Sequence, residues 1–123
     1  MHCGGLDFDR LAFWKGSVVM FDAVNRATSI VHAYARKQMC LARYEAFCMV
    51  AFAEAYPADT TIVVTFLQYL SATLTFSTVR YTLSVVSDEC VRRGVNDPRT
   101  ELAVRKTMSR LRYAAARANR DKR

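Results

Sequence analysis

Proline and glycine are scarce in this chain, which has two prolines and four glycines in 123 residues. A protein made of many short strands needs turn residues at close intervals, so this scarcity argues against an all-β fold. Hydrophobic residues make up 52% of the chain, which argues against intrinsic disorder and allows a buried core at this length. Long segments rich in Ala, Leu, Arg, Met and Glu favour helices. We therefore predict one all-α domain, a compact bundle of four to five helices.

The sequence also lacks the motifs that mark an enzyme or a metal site. It contains no phosphate-binding glycine loop, its carboxylates are scattered, and no Ser or Cys has a context that implies a paired base. The adjacent acids Asp88 and Glu89 are interpreted as balancing Arg92 and Arg93. We predict no catalytic residue, no cofactor, no metal and no small-molecule substrate.

The cysteines show no C-x-x-C pair and no metal-ligand spacing. We interpret Cys3, Cys40, Cys48 and Cys90 as free, buried thiols. Free thiols persist in a reducing compartment, so the expected location is the cytoplasm or the nucleus.

Charge is absent from residues 60–79, a stretch long enough to span a membrane. Nine of these twenty residues are Ser, Thr or Gln, and the apolar ones recur at helical spacing on one face. A one-sided apolar stripe is typical of a core helix, so we predict no membrane segment.

Apolar spacing and capping residues predict the helix boundaries in the first half of the chain. Residues 1–28 are expected to form an N-terminal extension with a short helix over 17–27, after a break at Gly16 and Ser17. A long helix follows from Ser29 to about Ala55, where Pro57 ends it. Its predicted buried seam consists of Ile30, Tyr34, Leu41, Cys48 and Ala55, widened by Tyr44, Phe47, Ala51 and Phe52.

Three more helices are predicted in the second half. The third runs from a cap at Asp59 or Thr60 to Leu74, and the fourth from a cap at Ser77 or Thr78 to a stop at Gly94. The fifth starts with Asp97 as N-cap and Pro98 at the first helical position, and frays beyond Ala118. The expected buried faces are Val79, Leu83, Val86 and Cys90 in the fourth helix and Val104, Met108, Leu111 and Ala115 in the fifth. The fourth helix is expected to turn Arg80, Tyr81, Ser84, Ser87 and Asp88 largely to its other faces.

Positive charge is confined to the C-terminal end. Residues 1–98 carry nine basic and nine acidic residues, whereas residues 99–123 carry nine basic and two acidic ones. The terminal segment therefore holds the whole net charge of +7. A one-ended excess of this kind predicts a contact surface for a polyanion, the alternative being a solvated basic tail.

Three features together favour duplex DNA as that polyanion. The terminal helix carries cations suited to phosphate neutralisation, namely Arg105, Lys106, Arg110, Arg112 and Arg117. The start of the fourth helix offers Ser77, Thr78 and Arg80 beside free backbone N–H groups. The long second helix adds His32, Arg36, Lys37 and Arg43.

Residues 29–112 resemble the N-terminal core-binding domain, a SAM-like helical bundle, of tyrosine recombinases and phage integrases. The matching positions are Tyr44, Phe47 and Cys48, then Pro57, the run from Thr60 to Leu70, Ser77-Thr78-Val79-Arg80, Gly94 to Pro98, and Leu111-Arg112. Cys48, Cys90 and Ser109 stand where that family usually has Trp, His and Gly. The family's H-x-x-R motif is absent.

The resemblance implies a non-catalytic domain that forms half of a clamp around DNA, with possible self-association between recombinase protomers. It places the domain at residues 29–116 and a basic tail or linker at 117–123. The contacts it implies are Ser29, His32, Arg36, Lys37 and Arg43 from the second helix and Ser77, Thr78, Arg80, Tyr81 and Ser84 from the fourth.

A helical protein–protein interaction or assembly domain with a basic tail is the alternative. In that case Phe13, Trp14 and Phe76 are expected to form an exposed apolar patch. An RNA-binding bundle is a third possibility, but the chain lacks the aromatic stacking surface common in such modules.

Overall fold

A computed structural model describes residues 10–121 of the chain, and the side chains of residues 23–121. This part is all-helical and contains no strand, which confirms the predicted fold class. The helices are α1 (Arg10–Val50), α2 (Thr60–Ser71), α3 (Phe76–Arg92) and α4 (Leu102–Asp121), with a 3₁₀ turn (Pro98–Thr100) before α4. The chain divides into two units, Met1–Arg36 and Lys37–Arg123.

Helix α1 is longer at its start, and shorter at its end, than the sequence pattern predicts. It runs without interruption through Gly16 and Ser29, so the predicted breaks at both places are wrong. A single glycine costs a helix only about 1 kcal/mol relative to alanine, which the surrounding hydrogen bonds tolerate. The helix ends at Val50 rather than near Ala55, because Phe52 adopts a left-handed conformation with φ of 56°.

The predicted seam of α1 is buried only in its C-terminal part. Ile30 and Tyr34 are 69% and 63% exposed, and Ala51 and Phe52, which lie beyond the end of the helix, are exposed too, so the seam prediction is wrong for these four residues. All side chains from Ala23 to Met39 are exposed. Burial begins at Cys40 and continues with Tyr44 and Cys48.

The core of the second unit forms where α1 meets α2. The buried ring of Tyr44 packs edge-on against Phe66, with 5.4 Å between centroids, and against Tyr56. Its hydroxyl donates a 2.8 Å hydrogen bond to the carbonyl oxygen of Ala55, which ties the chain after α1 back onto that helix. The other fully buried large side chains of the core are Phe66, Leu67, Leu70, Val63, Val79, Val86 and Val104.

Three of the four cysteines can be assessed, and they lie in this core as free thiols, as predicted. They are Cys40, Cys48 and Cys90, and burial raises the pKa of the last two. Cys3 lies outside the described residues.

Helix α2 begins at its predicted cap and ends earlier than expected. The carboxylate of Asp59 accepts hydrogen bonds from the backbone N–H groups of Thr61 and Ile62. The helix stops at Ser71 rather than Leu74, so the charge-free stretch is divided between α2, a turn and the start of α3. No helix among the described residues is long and apolar enough to cross a membrane.

Helix α3 is capped by Thr75, so the prediction of Ser77 or Thr78 as the cap is wrong. The Thr75 hydroxyl accepts the N–H of Thr78, and both predicted caps lie in the first turn. The predicted face of Val79, Leu83, Val86 and Cys90 is buried, but Ser87, expected to point elsewhere, is buried too.

The end of α3 follows the predicted stop. Gly94 has φ of +76°, and its N–H and that of Val95 bond back to the carbonyl oxygens of Val91 and Cys90. This hydrogen-bond pattern is the glycine-dependent helix stop known as the Schellman motif.

Asp97 and Pro98 open a helical segment, but a shorter one than predicted. Asp97 caps the 3₁₀ turn by accepting the N–H of Arg99, and α4 begins afterwards at Leu102. The predicted inner stripe of α4 is confirmed, with Val104 buried and Met108, Leu111 and Ala115 half-buried. The helix continues to Asp121, so the prediction that it frays beyond Ala118 is wrong for residues 119–121.

Candidate nucleic-acid-binding groove

A groove of about 300 Å³ lies between α3 and α4. Leu83 and Val104, which are 7% and 1% exposed, close its floor together with Met108. Polar and cationic side chains surround this apolar floor. They are Arg80 and Ser84 from α3, Arg105, Ser109 and Arg112 from α4, and Arg99 from the 3₁₀ turn.

Helical periodicity explains why these residues share one groove. Arg80 and Ser84 are four positions apart on α3, one turn along the same side. Arg105, Ser109 and Arg112 are spaced by four and three positions on α4, again along one side. The buried stripes that hold α3 and α4 together therefore leave these two polar rows facing the same space.

Of the four arginines that line the groove, only Arg99 is paired with carboxylates of the described residues. Arg80, Arg105 and Arg112 are exposed and make no ion pair or hydrogen bond with any residue of the range 23–121, whose side chains the structure describes. Arg99 bonds instead to Asp97 at 3.1 Å and to Asp88 at 3.0 Å. No carboxylate lines the groove among the described residues, so it presents three uncompensated positive charges.

Charge at the other end of α3 is balanced. Glu89 accepts hydrogen bonds from Arg92 and Arg93, which lowers the pKa of its carboxyl to about 2. The Arg93 guanidinium also lies 3.9 Å from the centre of the Tyr56 ring. These arginines are therefore engaged within the fold, unlike those of the groove.

The N-terminus of α3 lies at one end of the groove. Phe76, its first residue, lines the groove and is half-buried. Thr75 satisfies the N–H of Thr78, but the first N–H groups of any helix have no intrahelical acceptor. The positive end of the helix dipole adds to the attraction that this groove exerts on anions.

The structure brings together only part of the predicted contact set. Arg80, Ser84, Arg105 and Arg112 line the groove, whereas Ser77 and Thr78 are exposed in the first turn of α3 and Tyr81 is half-buried on that helix. The remaining predicted contacts do not line the groove: Lys106 and Arg110 lie beside Arg105 on an adjoining surface of α4, Lys37 and Arg43 lie on α1, and Ser29, His32 and Arg36 lie in the N-terminal unit.

Sequence reasoning missed Ser109 as a groove residue, treating it only as a departure from a family pattern. Its spacing of four from Arg105 and three to Arg112 is the signal that identifies it, because all three then share one side of α4. There was no comparable sign in the sequence that Arg99 bonds to Asp88, because these two residues are eleven positions apart.

The described residues contain no cluster of three or more His, Cys, Asp or Glu side chains that could hold a metal ion. Comparisons of the sequence with protein-family models and with curated proteins find no match. The function of the groove therefore has to be argued from its chemistry.

Proposed function

We propose that this protein binds duplex DNA through the α3/α4 groove, as a non-catalytic helical domain of the tyrosine-recombinase core-binding type. The observation that carries the proposal is the convergence of Arg80, Arg105 and Arg112 on one groove, with no carboxylate of the described side chains to neutralise them. The resemblance of residues 77–98 to that family supports the recombinase part of the proposal.

The chemistry of the groove suits a nucleic acid. A guanidinium group binds phosphate oxygens through two parallel hydrogen bonds, and the same fork matches the edge of a guanine base. Hydroxyls such as those of Ser84 and Ser109 commonly supply further phosphate contacts. Because the arginines are exposed and have no partner in the described residues, binding breaks no ion pair within that part of the chain.

An assembly domain is the second candidate, and one observation favours it. Met49, Val50 and Phe52 are 76%, 79% and 98% exposed at the end of α1, which forms an apolar patch on the second unit. This is not the patch that the sequence predicts: Phe76 is half-buried in the groove, and the side chains of Phe13 and Trp14 lie outside those described. Contiguous exposed apolar side chains are typical of protein–protein contacts.

Salt dependence of duplex binding tests the first proposal. Affinity measured by fluorescence anisotropy should fall linearly with salt on a log–log scale, by about 0.9 in slope per phosphate contact. The double variant Arg105→Gln/Arg112→Gln should bind more weakly and have a slope smaller by about 1.8. Arg92→Gln removes a cation that is engaged by Glu89 and should leave the slope unchanged. Equal slopes for the wild type and the double variant would contradict the proposed groove.

A further inference from the structure

Arg99 differs from the other arginines of the groove because the fold holds its guanidinium in place. Its Nε and Nη2 atoms both donate to the Asp97 carboxylate, at 3.1 Å to Oδ1 and at 3.2 Å to Oδ2. Two parallel hydrogen bonds of this kind fix the position and the plane of a guanidinium group. Nη2 also donates to Oδ1 of Asp88, at 3.0 Å. The Arg99 side chain nevertheless remains 38% exposed and lines the groove.

The two carboxylates hold Arg99 with different firmness. Oδ1 of Asp97 also accepts the backbone N–H of Arg99 at 2.9 Å, which caps the 3₁₀ turn, and the Asp97 side chain is 24% exposed. Asp88 lies on α3 with its side chain 67% exposed, where an ion pair contributes little to stability. A ligand that enters the groove can therefore displace Asp88 from Arg99, whereas Asp97 keeps its place.

The donors that remain on Arg99 form a second fork. A guanidinium group has five N–H donors in one plane. Because Nε and one N–H of Nη2 are directed at Asp97, the other N–H of Nη2 and one N–H of Nη1 lie parallel at the far end of the group. Asp88 accepts from Nη2, and Nη1 donates to no residue of the range 23–121. Displacement of Asp88 thus presents a complete fork to the groove.

The charges around Arg99 favour a neutral acceptor over a phosphate. A phosphate at this fork would be attracted by the guanidinium and repelled by the nearby Asp97 carboxylate, so that the two effects offset each other. A base edge has acceptors but no net charge and meets no such repulsion. Guanine presents O6 and N7 in the major groove, which together accept a fork of two N–H groups. Arg80, Arg105 and Arg112, which no described carboxylate neutralises, suit phosphates instead.

We infer that Arg99 determines sequence specificity by recognising a guanine base, with Asp97 as its positioning residue and Asp88 as the group that the base displaces. This inference rests on the proposed function, because the duplex has to lie in the groove. It divides the work of the groove between uncompensated arginines that hold phosphates and a compensated one that reads sequence. A good bidentate contact to guanine discriminates against another base by roughly 5- to 150-fold.

Selection of duplexes with a randomised central segment tests this inference with the full chain. The sequence that wild type prefers is determined, and each G·C pair in it is then replaced by A·T. The guanine preference at a position is the Kd of the replaced duplex divided by the Kd of the preferred duplex, both measured by fluorescence anisotropy. Arg99→Lys keeps the charge but has no fork. Asp97→Asn and Asp88→Asn are a matched pair, since each removes one negative charge beside the same guanidinium.

Arg99→Lys should reduce the guanine preference at one position from roughly 5- to 150-fold to about twofold or less, with the salt slope of wild type, because the charge remains. Asp97→Asn should reduce the preference at the same position, since one of its two acceptors becomes an amide donor that faces Arg99. Asp88→Asn should raise the preference by up to about fivefold, because the base then displaces a weaker acceptor. A general effect of charge would move both variants alike.

Several results would overturn the inference. They are a preferred sequence without guanine, a wild type that binds all duplexes equally, an unchanged preference at every position in Arg99→Lys, or equal changes in Asp97→Asn and Asp88→Asn. Circular dichroism melting of each variant verifies folding. Asp97 caps the 3₁₀ turn, so if Asp97→Asn unfolds, Arg99→Lys and the exposed Asp88→Asn still decide the question.

Failure of the groove proposal gives a different result. In that case Arg105→Gln/Arg112→Gln has the salt slope of wild type, whatever the Arg99 variants show. A reduced slope in that double variant, together with an unchanged guanine preference in Arg99→Lys, would mean that the groove binds duplex DNA and that Arg99 does not read it.

Discussion

Replacing Arg80 with alanine separates a role in binding from a role in stability. Arg80 is the fifth residue of α3, is exposed, and forms no ion pair within the described part of the chain. Its positive charge lies near the N-terminal end of the helix dipole, which is mildly unfavourable for folding. We therefore expect the substitution to remove nothing on which the fold depends.

The change in stability should be small, and its sign can be stated. A charge in the first turn interacts with the helix dipole by about 0.3–1 kcal/mol, and the effect falls off beyond that turn. Arginine and alanine both favour helices. Arg80→Ala should therefore raise the free energy of unfolding by less than about 0.5 kcal/mol, a shift in Tm of about 2 °C or less.

Duplex binding should change much more. A groove arginine that contacts a base edge contributes about 1–3 kcal/mol, which corresponds to a ~5- to 150-fold weaker Kd for the variant. An arginine that contacts only phosphate weakens binding to every sequence and lowers the salt slope by about 0.9. Anisotropy titrations with several duplex sequences at two salt concentrations distinguish these cases.

Arg92→Ala is the matched control on the same helix. Arg92 is bonded to Glu89 at the balanced end of α3 and is exposed, so its loss should lower stability only slightly and leave duplex affinity unchanged. Deleting residues 118–123 should weaken binding less than Arg80→Ala and without regard to sequence. If the deletion abolishes binding while Arg80→Ala binds like wild type, the groove is not the DNA site and the basic end of the chain accounts for binding.

Three further predictions concern the fold that holds the groove. Phe52→Gly should raise the free energy of unfolding by about 1 kcal/mol, measured by urea unfolding. The reason is that φ of 56° disfavours any residue with a Cβ, while the Phe52 side chain is 98% exposed and its loss removes no buried contact. Phe52→Ala keeps the Cβ and should therefore show no such increase. Tyr44→Phe should lower the free energy of unfolding by about 1–3 kcal/mol, since the carbonyl oxygen of Ala55 loses its hydrogen-bond donor. Equal stability of wild type and Tyr44→Phe would refute a stabilising role of this hydrogen bond. The folded-state pKa of Glu89 is about 2, below its ordinary value of 4.5. The ionised Glu89 carboxylate therefore contributes fully to the free energy of unfolding above pH 4.5, and this contribution is lost as the pH falls toward 2. The difference in the free energy of unfolding between wild type and Glu89→Gln should shrink over that range, and a constant difference would count against the ion pairs of Glu89 with Arg92 and Arg93.

About half of the candidate site could be predicted from the sequence. Arg80, Ser84, Arg105 and Arg112 were all predicted contacts, because charge and helical spacing are visible in the order of residues. Which of the α4 cations line the groove was not visible, because helical phase alone does not say which side of α4 faces α3. Ser29, His32 and Arg36 of α1 were also predicted contacts, but they lie in the N-terminal unit and are not among the residues that line the groove.

Local interactions allow the sequence alone to determine several features. The Asp59 cap, the stop at Gly94 and the buried stripes of α3 and α4 each depend on residues within a few positions of one another. Backbone hydrogen bonding and helical periodicity act at that range, so these features follow from residue order.

Tertiary structure decided what depends on distant residues. It buries Tyr44 and Cys48 of α1 but leaves Ile30 exposed, although all three belong to the predicted seam, because burial requires a neighbour that the sequence does not name. It also pairs Asp88 with Arg99, eleven residues away, so the prediction that Asp88 balances Arg92 and Arg93 is wrong, whereas Glu89 binds both of those arginines as predicted. The groove exists for the same reason: packing of Leu83 against the Val104 side of α4 brings two separate rows of arginines to one place, and no local rule contains that contact.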